Sequence, residues 1–198
     1  MGRYVPHLLA GLFVVLWTVL AINPVMRDVW WAENLPIMGV FLFLVATFPL
    51  FRFSTTAYVL MSVWLVMHTI GGHYTFAGVP FDWFNDLIGS ERNQFDRIGH
   101  YAIGFYAYPI AEFLTRRQLA RPVVVYLFSL FAIMALAAGY EIIEWWYAVT
   151  AGGAAGIEFL GSQGDIWDAQ KDMLSDTLGA ISVLVLFGAV WWRKRERA

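Results

Sequence analysis

The chain has 198 residues, of which 60% are hydrophobic and 14% are charged, whereas a soluble domain is nearer half apolar and a quarter charged. This composition excludes an ordinary soluble domain. The chain has no cysteine, which excludes disulfides, thiolate metal sites and cysteine catalysis. The formal net charge is −2, and there is no basic patch that would suit nucleic acid.

Six apolar segments are expected to cross a bilayer, which takes about 20 residues of helix. They lie at residues 6–22, 35–51, 56–70, 98–114, 122–149 and 174–192. The first resembles a signal-peptide core, but Ala21-Ile22-Asn23-Pro24 is a poor cleavage sequence, so we expect a retained helix. The sequence therefore predicts an all-α membrane protein, a single multi-pass domain over residues 1–198 built as a bundle of six transmembrane helices.

The charges are divided between the two sides of this predicted bundle. Nine of the thirteen basic residues lie at alternate helix ends: Arg3, Arg52, Arg116, Arg117, Arg121, Arg193, Lys194, Arg195 and Arg197. The positive-inside rule assigns that side to the cytoplasm, together with both termini. Thirteen of the fifteen carboxylates and three of the four histidines fall on the opposite side. We therefore predict a polar pocket that opens at the extracytoplasmic face.

Histidines mark two of the segments that contribute to this pocket. His68 and His73 flank a pair of glycines, which we expect to end the third helix. Asp96 and His100 are four residues apart at the start of the fourth helix, which places them on one helical face. The 74–97 connection is expected to lie along the membrane interface, and the 150–164 connection is expected to be a flexible link or re-entrant cover.

Carboxylates mark the other two segments. Glu141 and Glu144 share one face of the fifth helix, and an acidic stripe at helical spacing precedes and enters the sixth helix, formed by Asp165, Asp168, Asp172 and Asp176. A lone carboxylate at membrane depth costs on the order of 3 kcal/mol, so these acids need protons, cations or water. Glu112, on the cytoplasmic side, precedes Arg116 by one turn, which predicts a local salt bridge.

Three interpretations of the polar residues remain open. Arg97 and Lys171 can pair with some of the acids in a structural polar core, a divalent cation can be held by carboxylates and histidines, or the acids can relay protons or substrate. The acids outnumber the nearby cations, which favours a metal or protonated carboxylates. For a cation, the predicted ligands are His100, Glu141, Glu144, Asp165, Asp168, Asp172 and Asp176.

Other residues are assigned to acid–base work and substrate binding on the same hypothesis. Histidine is the usual acid–base group near neutral pH, so His68 or His73 is predicted to do this work, with Asp96 assigned to the same catalytic group. Arg92 or Arg97 would contact an anionic headgroup. The expected partners are membrane lipids, and the metal, the reaction and the oligomeric state are left open.

Four polar segments resemble the YjdF-like family of bacterial inner-membrane proteins. They read H-T-I-G-G-H-Y-T, R-N-Q-F-D-R-I-G-H-Y, Y-E-I-I-E-W and G-S-Q-G-D-I-W-D-A-Q-K-D-M. A weaker similarity reaches the VanZ-like membrane proteins through Asp96, Arg97 and His100, and through Asp172, Asp176 and Gly179. The resemblance implies a multi-pass protein of the bacterial inner membrane with a polar extracytoplasmic site, and it implies no reaction or cofactor.

Three functions fit these observations. The leading hypothesis is a membrane-embedded enzyme or binding site for an envelope lipid or its headgroup, which uses a divalent cation. The second is a small transporter or proton-coupled channel that uses the same acids as a relay. The third is a non-catalytic membrane scaffold or resistance-type protein, in which the polar core only fixes the packing of the helices.

Overall fold

The computed structural model describes residues 4–195, with side chains described as far as residue 191, and this part of the chain contains helices but no strand. Arg3 and Arg197 of the predicted cytoplasmic charge set lie outside the described residues, as do the side chains of Arg193, Lys194 and Arg195. The helices are α1 (Val5–Leu20), α2 (Arg27–Thr47), α3 (Thr55–Tyr74), α4 (Asp82–Ile88), α5 (Phe95–Ile103), α6 (Ala107–Arg116), α7 (Pro122–Ala151), α8 (Gly153–Leu160) and α9 (Asp168–Arg195).

The helices confirm the all-α class and identify three clear candidate spans. Among the described residues, Arg27–Thr47, Pro122–Ala151 and Asp168–Trp191 are long and apolar enough to cross a membrane, and Val5–Leu20 is apolar but shorter. The chain is therefore a multi-pass membrane protein by length and composition. The count of six spans, the cytoplasmic termini and the outward direction of the polar pocket stay predictions.

The fourth predicted helix is broken into α5 and α6 by a 3₁₀ turn at Gly104–Tyr106. Pro109 follows in the first turn of α6, where its missing N–H cannot bond to the carbonyl four residues earlier. A Cβ atom on Gly104 would overlap the backbone of Asp176 and Ala180 in α9, and one on Gly179 would overlap the backbone of Tyr101. Small residues thus let the turn and α9 touch backbone to backbone.

The expectation that two glycines end the third helix is wrong. Helix α3 runs through Gly71 and Gly72 to Tyr74. Both glycines are buried, and their hydrogens make room for neighbours, since a Cβ on Gly71 would overlap the ring of Phe76 and one on Gly72 would reach 3.0 Å from the Cβ of Glu33. Close packing, rather than backbone freedom, explains their position.

Three further boundaries differ from the sequence-based expectation in ways that affect the site. Helix α2 begins at Arg27 rather than near residue 35, so Glu33 lies inside a helix. The 74–97 connection contains a 3₁₀ turn and α4, and the 150–164 connection contains α8. Helix α8 packs on α7 and also contacts α2. The 150–164 connection is therefore an ordered cover over the polar end of the bundle rather than a flexible link.

The bundle has an apolar end and a polar end. Helix α9 packs against α5, α6 and α7, while α3 packs against α1, α2 and α5. A buried apolar core joins these helices near the start of α3 and the end of α9, and it includes Met61, Tyr108, Ile133, Leu184 and Phe187. The buried acids of α5 and α9 lie at the opposite end of the same helices, where α8 and the 74–97 connection cover them.

Candidate functional site

Helices α5 and α9 place a histidine among three aspartates. Asp96 and His100 are one turn apart on α5, and Asp172 and Asp176 are one turn apart on α9. Nε2 of His100 lies 3.7 Å from an oxygen of Asp96 and 3.9 Å from an oxygen of Asp172, while Nδ1 lies 3.2 Å from Asp176. Since α9 is helical from Asp168 onward, the prediction of one helical face is confirmed for Asp168, Asp172 and Asp176, whereas Asp165 lies before the helix.

The hydrogen bond to Asp176 can fix which nitrogen of His100 carries the proton. Asp176 is fully buried, with 0% exposure. When its carboxylate is ionised it only accepts hydrogen bonds, so Nδ1 of His100 then donates to it. In the neutral ring the lone pair of Nε2 then faces Asp96 and Asp172. An imidazole oriented in this way by a carboxylate is the usual arrangement of a metal-binding histidine.

The spacing of these atoms suits a small cation. One ligand atom each from Asp96, His100 and Asp172 lies within 4.8 Å of the other two, the only such group among the described residues. Ligands about 2.0–2.2 Å from a zinc ion are separated by roughly 3.3 Å in a tetrahedron. The two nitrogen–oxygen distances of 3.7 and 3.9 Å exceed this separation by about 0.4–0.6 Å, and the oxygen–oxygen distance exceeds it by at most about 1.5 Å, so a bound ion would draw the three side chains closer together.

Arg97 connects the acids at the start of α9. Its Nη2 atom lies 2.7 Å from an oxygen of Asp168 and 3.2 Å from an oxygen of Asp165, and its Nη1 atom contacts Asp172. Nη1 also donates a 2.8 Å hydrogen bond to the backbone carbonyl of Asp168. Arg97 is thus fully engaged with the chain's own oxygen atoms.

Arg92 and Lys171 complete this ion-pair network. Nη2 of Arg92 lies 3.1 Å from an oxygen of Asp96 and 2.7 Å from one of Asp168, and its guanidinium donates to two backbone carbonyls that follow α8. Nζ of Lys171 lies 2.6 Å from Asp165. This hydrogen bond lowers the pKa of Asp165, which lies in the connection before α9. Both arginines are therefore held by the protein itself.

The network carries more negative than positive charge. Its five carboxylates are Asp96, Asp165, Asp168, Asp172 and Asp176, and its permanent cations are Arg92, Arg97 and Lys171. With His100 neutral, as it must be when it binds a metal, two negative charges remain unbalanced; with His100 protonated, one remains. In addition, one oxygen of Asp176 and one of Glu141 are buried without a hydrogen-bond partner. Since unpaired buried charge is costly, the site needs either a divalent cation or protons.

A second polar group lies across a small cavity from the first. Oε2 of Glu33 lies 2.9 Å from Nε2 of His68 and accepts a 2.9 Å hydrogen bond from the hydroxyl of Tyr140. The ring of Tyr140 stands between two histidines, with centroid distances of 6.0 Å to His68 and 6.4 Å to His100. Glu144, on the next turn of α7, is also buried.

Both polar groups line one cavity of about 30 Å³. Its titratable lining residues are Glu33, His68, Asp96, His100, Tyr140, Glu144 and Asp176. A cavity needs roughly 10–15 Å³ to hold a water molecule, so this one accommodates an ion together with a water. The cavity therefore joins the histidine–aspartate group to a second possible acid–base group.

The structure places the predicted site residues in three groups. His68, Asp96, His100, Glu144 and Asp176 face the cavity, and Asp172 lies 3.9 Å from Nε2 of His100. Arg92, Arg97, Asp165 and Asp168 form the ion-pair network beside it. His73 and Glu141 lie apart from the cavity lining. Nδ1 of His73 contacts the carbonyl of Leu20 at 2.8 Å, which joins α3 to the end of α1. The chemical roles of all these residues stay predictions.

Two residues of the cavity were missed from the sequence. Glu33 was treated as part of a loop because the apolar segment was taken to begin at residue 35, whereas α2 begins at Arg27, and hydropathy gave no signal of this extension. Tyr140 precedes Glu141 and Glu144 by one and four positions, so it shares the face of Glu144. A search for polar residues at helical spacing from each buried acid would have found Tyr140.

Comparisons with known proteins agree with this architecture. A family model described as "Predicted membrane protein (DUF2238)" matches residues 5–194. The chain is 34% identical over 172 residues to the "Inner membrane protein YjdF" of Escherichia coli (strain K12), which covers 85% of this chain and 81% of that protein. No solved structure shows a significant match. Both descriptions concern membrane proteins, so the chemistry must be argued from the site.

Proposed function

The chain belongs to the DUF2238 family of predicted membrane proteins, and from this premise we propose that its polar end binds a divalent cation that acts on the headgroup of an envelope lipid. The observation that carries the proposal is the hydrogen bond between Asp176 and Nδ1 of His100. It turns Nε2 of the same ring toward Asp96 and Asp172. The ligands are thus one imidazole and two carboxylates.

The ligand set indicates which cations to expect. Imidazole nitrogen suits zinc, iron and nickel, while carboxylate oxygen suits magnesium, calcium and manganese. A mixed set of one nitrogen and two oxygens therefore favours zinc or manganese over magnesium and calcium. A charge of +2 would also balance the two surplus negative charges of the ion-pair network, which a monovalent ion would not.

The cavity supports a reactive site rather than a purely structural one. Structural zinc sites are closed by four protein ligands, whereas catalytic sites keep a position for water or substrate. Here three side chains converge, and two of them line a cavity that continues to His68. In a hydrolytic reaction, the cation would lower the pKa of its water and polarise an ester or phosphoryl oxygen, and His68, oriented by Glu33, would move the proton.

The same geometry changes the predicted role of the arginines. Arg92 and Arg97 already donate to carboxylates and carbonyls of the chain, so a headgroup that bound them would have to break these contacts. A headgroup that bound the cation instead would leave these contacts intact. We therefore assign headgroup binding to the cation and assign the arginines to holding Asp168 and Asp172 in place.

The relay and scaffold alternatives gain less support. A relay needs polar groups along the whole bundle, but the carboxylate of Glu112 at the other end is already engaged. It accepts hydrogen bonds from the backbone nitrogen of Ser54 at 2.8 Å and from its hydroxyl at 2.6 Å, and it forms a salt bridge with Arg116 at 2.7 Å. An apolar core separates this group from the cavity. In a scaffold, protons on the acids or on His100 would have to balance the surplus charge.

Metal analysis of detergent-purified protein is the first test. Wild-type protein should hold about one zinc or manganese ion per chain and lose it to a chelator, and His100→Gln should hold none while staying folded. Asp86→Asn is the matched control, because Asp86 is exposed on α4 and forms no ion pair with any residue that the structure describes. Wild-type protein that takes up none of zinc, manganese, magnesium or calcium in a titration would overturn the proposal.

Action on a lipid needs a separate test. Metal-loaded protein is incubated with a bacterial polar-lipid extract in vesicles, and headgroup products are followed by mass spectrometry. We expect products with the wild type and none with His68→Gln, which leaves the three metal ligands intact. Metal binding without any change in the lipids would remove the lipid part of the proposal and leave the cation site standing.

A further inference from the structure

A second, larger cavity lies at the apolar end of the bundle, away from the cation site. It has a volume of about 380 Å³ and lies between α1, α2 and α3. Its floor is formed by the buried side chains of Met61 and Leu65 on α3. Ala10 on α1 and Val45 on α2 line its walls, and Val45 is 53% exposed, so the cavity opens toward the surroundings of the helices.

Aromatic pairs hold α1 and α2 at a distance from each other. The rings of Phe13 and Phe41 meet at 4.9 Å, and those of His7 and Phe48 meet at 5.2 Å. These four residues all line the cavity, which therefore occupies the gap between the two pairs. Helix α1 packs its backbone against α3 rather than α2, so the gap is a feature of how the three helices are arranged.

An empty gap of this size is unfavourable within a membrane. Protein interiors are close-packed, and the lining of a void loses dispersion contacts. Water does not fill an apolar cavity, and the lining here is almost entirely apolar apart from His7, Tyr58 and Ser62. An apolar molecule supplied by the membrane is the occupant that fits.

The volume of the cavity and the positive charge beside its Phe48 end identify that occupant. A helix of a second protein, about 10 Å wide, could place only some of its side chains in a cavity of about 380 Å³. A single hydrocarbon chain is narrower. The guanidinium of Arg52 lies 4.9 Å from the ring centroid of Phe48, which lines the cavity, and so a positive charge stands beside this end of it.

We propose that this cavity binds one acyl chain of an anionic phospholipid, with the headgroup phosphate beside Arg52. The site is independent of the cation site, because it involves α1, α2 and α3 near residues 6–13, 41–48 and 58–65. An acyl chain there replaces the missing packing between α1 and α2. The headgroup would lie on the side that the positive-inside rule assigns to the cytoplasm.

Photo-crosslinking in vesicles tests the proposal. The full chain is reconstituted with phosphatidylglycerol that carries a diazirine on one acyl chain, or with the matching phosphatidylcholine, and crosslinked peptides are mapped by mass spectrometry. We expect labels on the cavity-lining residues of α1 and α3, and severalfold more label from phosphatidylglycerol. Ala10→Phe fills the cavity and should reduce this label severalfold, whereas Leu12→Phe should not, since Leu12 is 58% exposed on another face of α1.

Two further variants test the filling of the cavity from α3 and the preference for an anionic headgroup. Ser62→Leu fills the cavity from α3 and is used if Ala10→Phe does not fold. Arg52→Gln should remove the preference for phosphatidylglycerol while the total label persists. Equal labelling of wild type and cavity-filled protein, equal labelling of Leu12 and Ala10, or crosslinks between two copies of the chain in place of lipid adducts would each overturn the proposal.

Discussion

Asp172→Asn is the substitution that separates a metal site from a structural ion-pair network. Asp172 is almost fully buried, contacts Arg97 and lies 3.9 Å from Nε2 of His100. Asparagine keeps the size of the side chain but removes its charge, and hard divalent cations depend on that charge. The substitution also reduces the charge surplus of the network from two to one.

The effect of Asp172→Asn on the stability of metal-free protein follows from the partners that Arg97 keeps. Arg97 keeps Asp165 and Asp168 within 3.2 Å, so it is not left unpaired, and one repulsion among carboxylates is removed. We therefore expect the free energy of unfolding to change by less than about 1 kcal/mol. A loss of about 3–5 kcal/mol, which is what breaking a buried pair costs, would instead mean that Asp172 itself holds the ion-pair network together.

Added cation should produce a second difference, because it stabilises the wild type more than the variant. At a concentration of 100 times its dissociation constant, a bound ion stabilises the wild type by about 2.7 kcal/mol, which corresponds to roughly 5–10 °C in melting temperature for a chain of this length. Asp172→Asn has lost a ligand and should gain much less. The wild type and Asp172→Asn should therefore have similar melting temperatures with chelator and melting temperatures several degrees apart with zinc or manganese.

Thermal unfolding in detergent, followed by tryptophan fluorescence, measures both differences. Each protein is heated with chelator and with added zinc, manganese, magnesium or calcium, and Asp86→Asn serves as the control for the loss of one carboxylate. If Asp172→Asn already melts far below the wild type in chelator, and if no cation raises the melting temperature of the wild type, the metal site is refuted. The scaffold interpretation would then be preferred.

Four more predictions concern the topology and the packing of the helices. Cysteines introduced at Asp86 and Leu119 should react with an impermeant thiol reagent from outside at Asp86 only, and outside labelling at Leu119 would contradict the predicted topology. Gly179→Ala should greatly reduce folded protein, because its Cβ overlaps the α5 backbone. Gly139→Ala meets no atom within 4 Å and should be neutral or stabilising by about 0.5–1 kcal/mol, as melting curves would show. Glu112→Gln should cost about 1–3 kcal/mol, because it weakens the contacts with Ser54 and Arg116, and should leave the metal content unchanged.

The parts of the site that obey helical periodicity could be predicted from the sequence. Asp168, Asp172 and Asp176 recur every four residues, and the same spacing relates Asp96 to His100. A four-residue step keeps side chains on one face whenever the segment is helical, whatever the rest of the fold does. The salt bridge between Glu112 and its neighbour one turn later was predicted for the same reason, and it is confirmed at 2.7 Å.

The parts that depend on contacts between distant segments could not be predicted. The glycine pair of α3 has a low helix propensity, yet its packing against Glu33 and Phe76 keeps it helical. Glu33 looks like a loop residue when hydropathy alone is considered, and only His68 and Tyr140 explain why a carboxylate is buried in α2. In each case a tertiary partner overrides the local preference.

The crossing of α5 and α9 depends on both helical periodicity and tertiary contact. Gly104 follows His100 by one turn, and Gly179 follows Asp176 by three residues, so each glycine lies on the same helical face as the site residue before it. Because the backbones touch at the glycines, the separation of His100 and Asp176 is set by main-chain contact rather than by flexible side chains. A hydrogen bond fixed in this way holds the imidazole in one orientation. Asp96 and Asp172 lie one turn before His100 and Asp176 on the same two helices, so the same contact also sets the distance between the two carboxylates that would bind the cation.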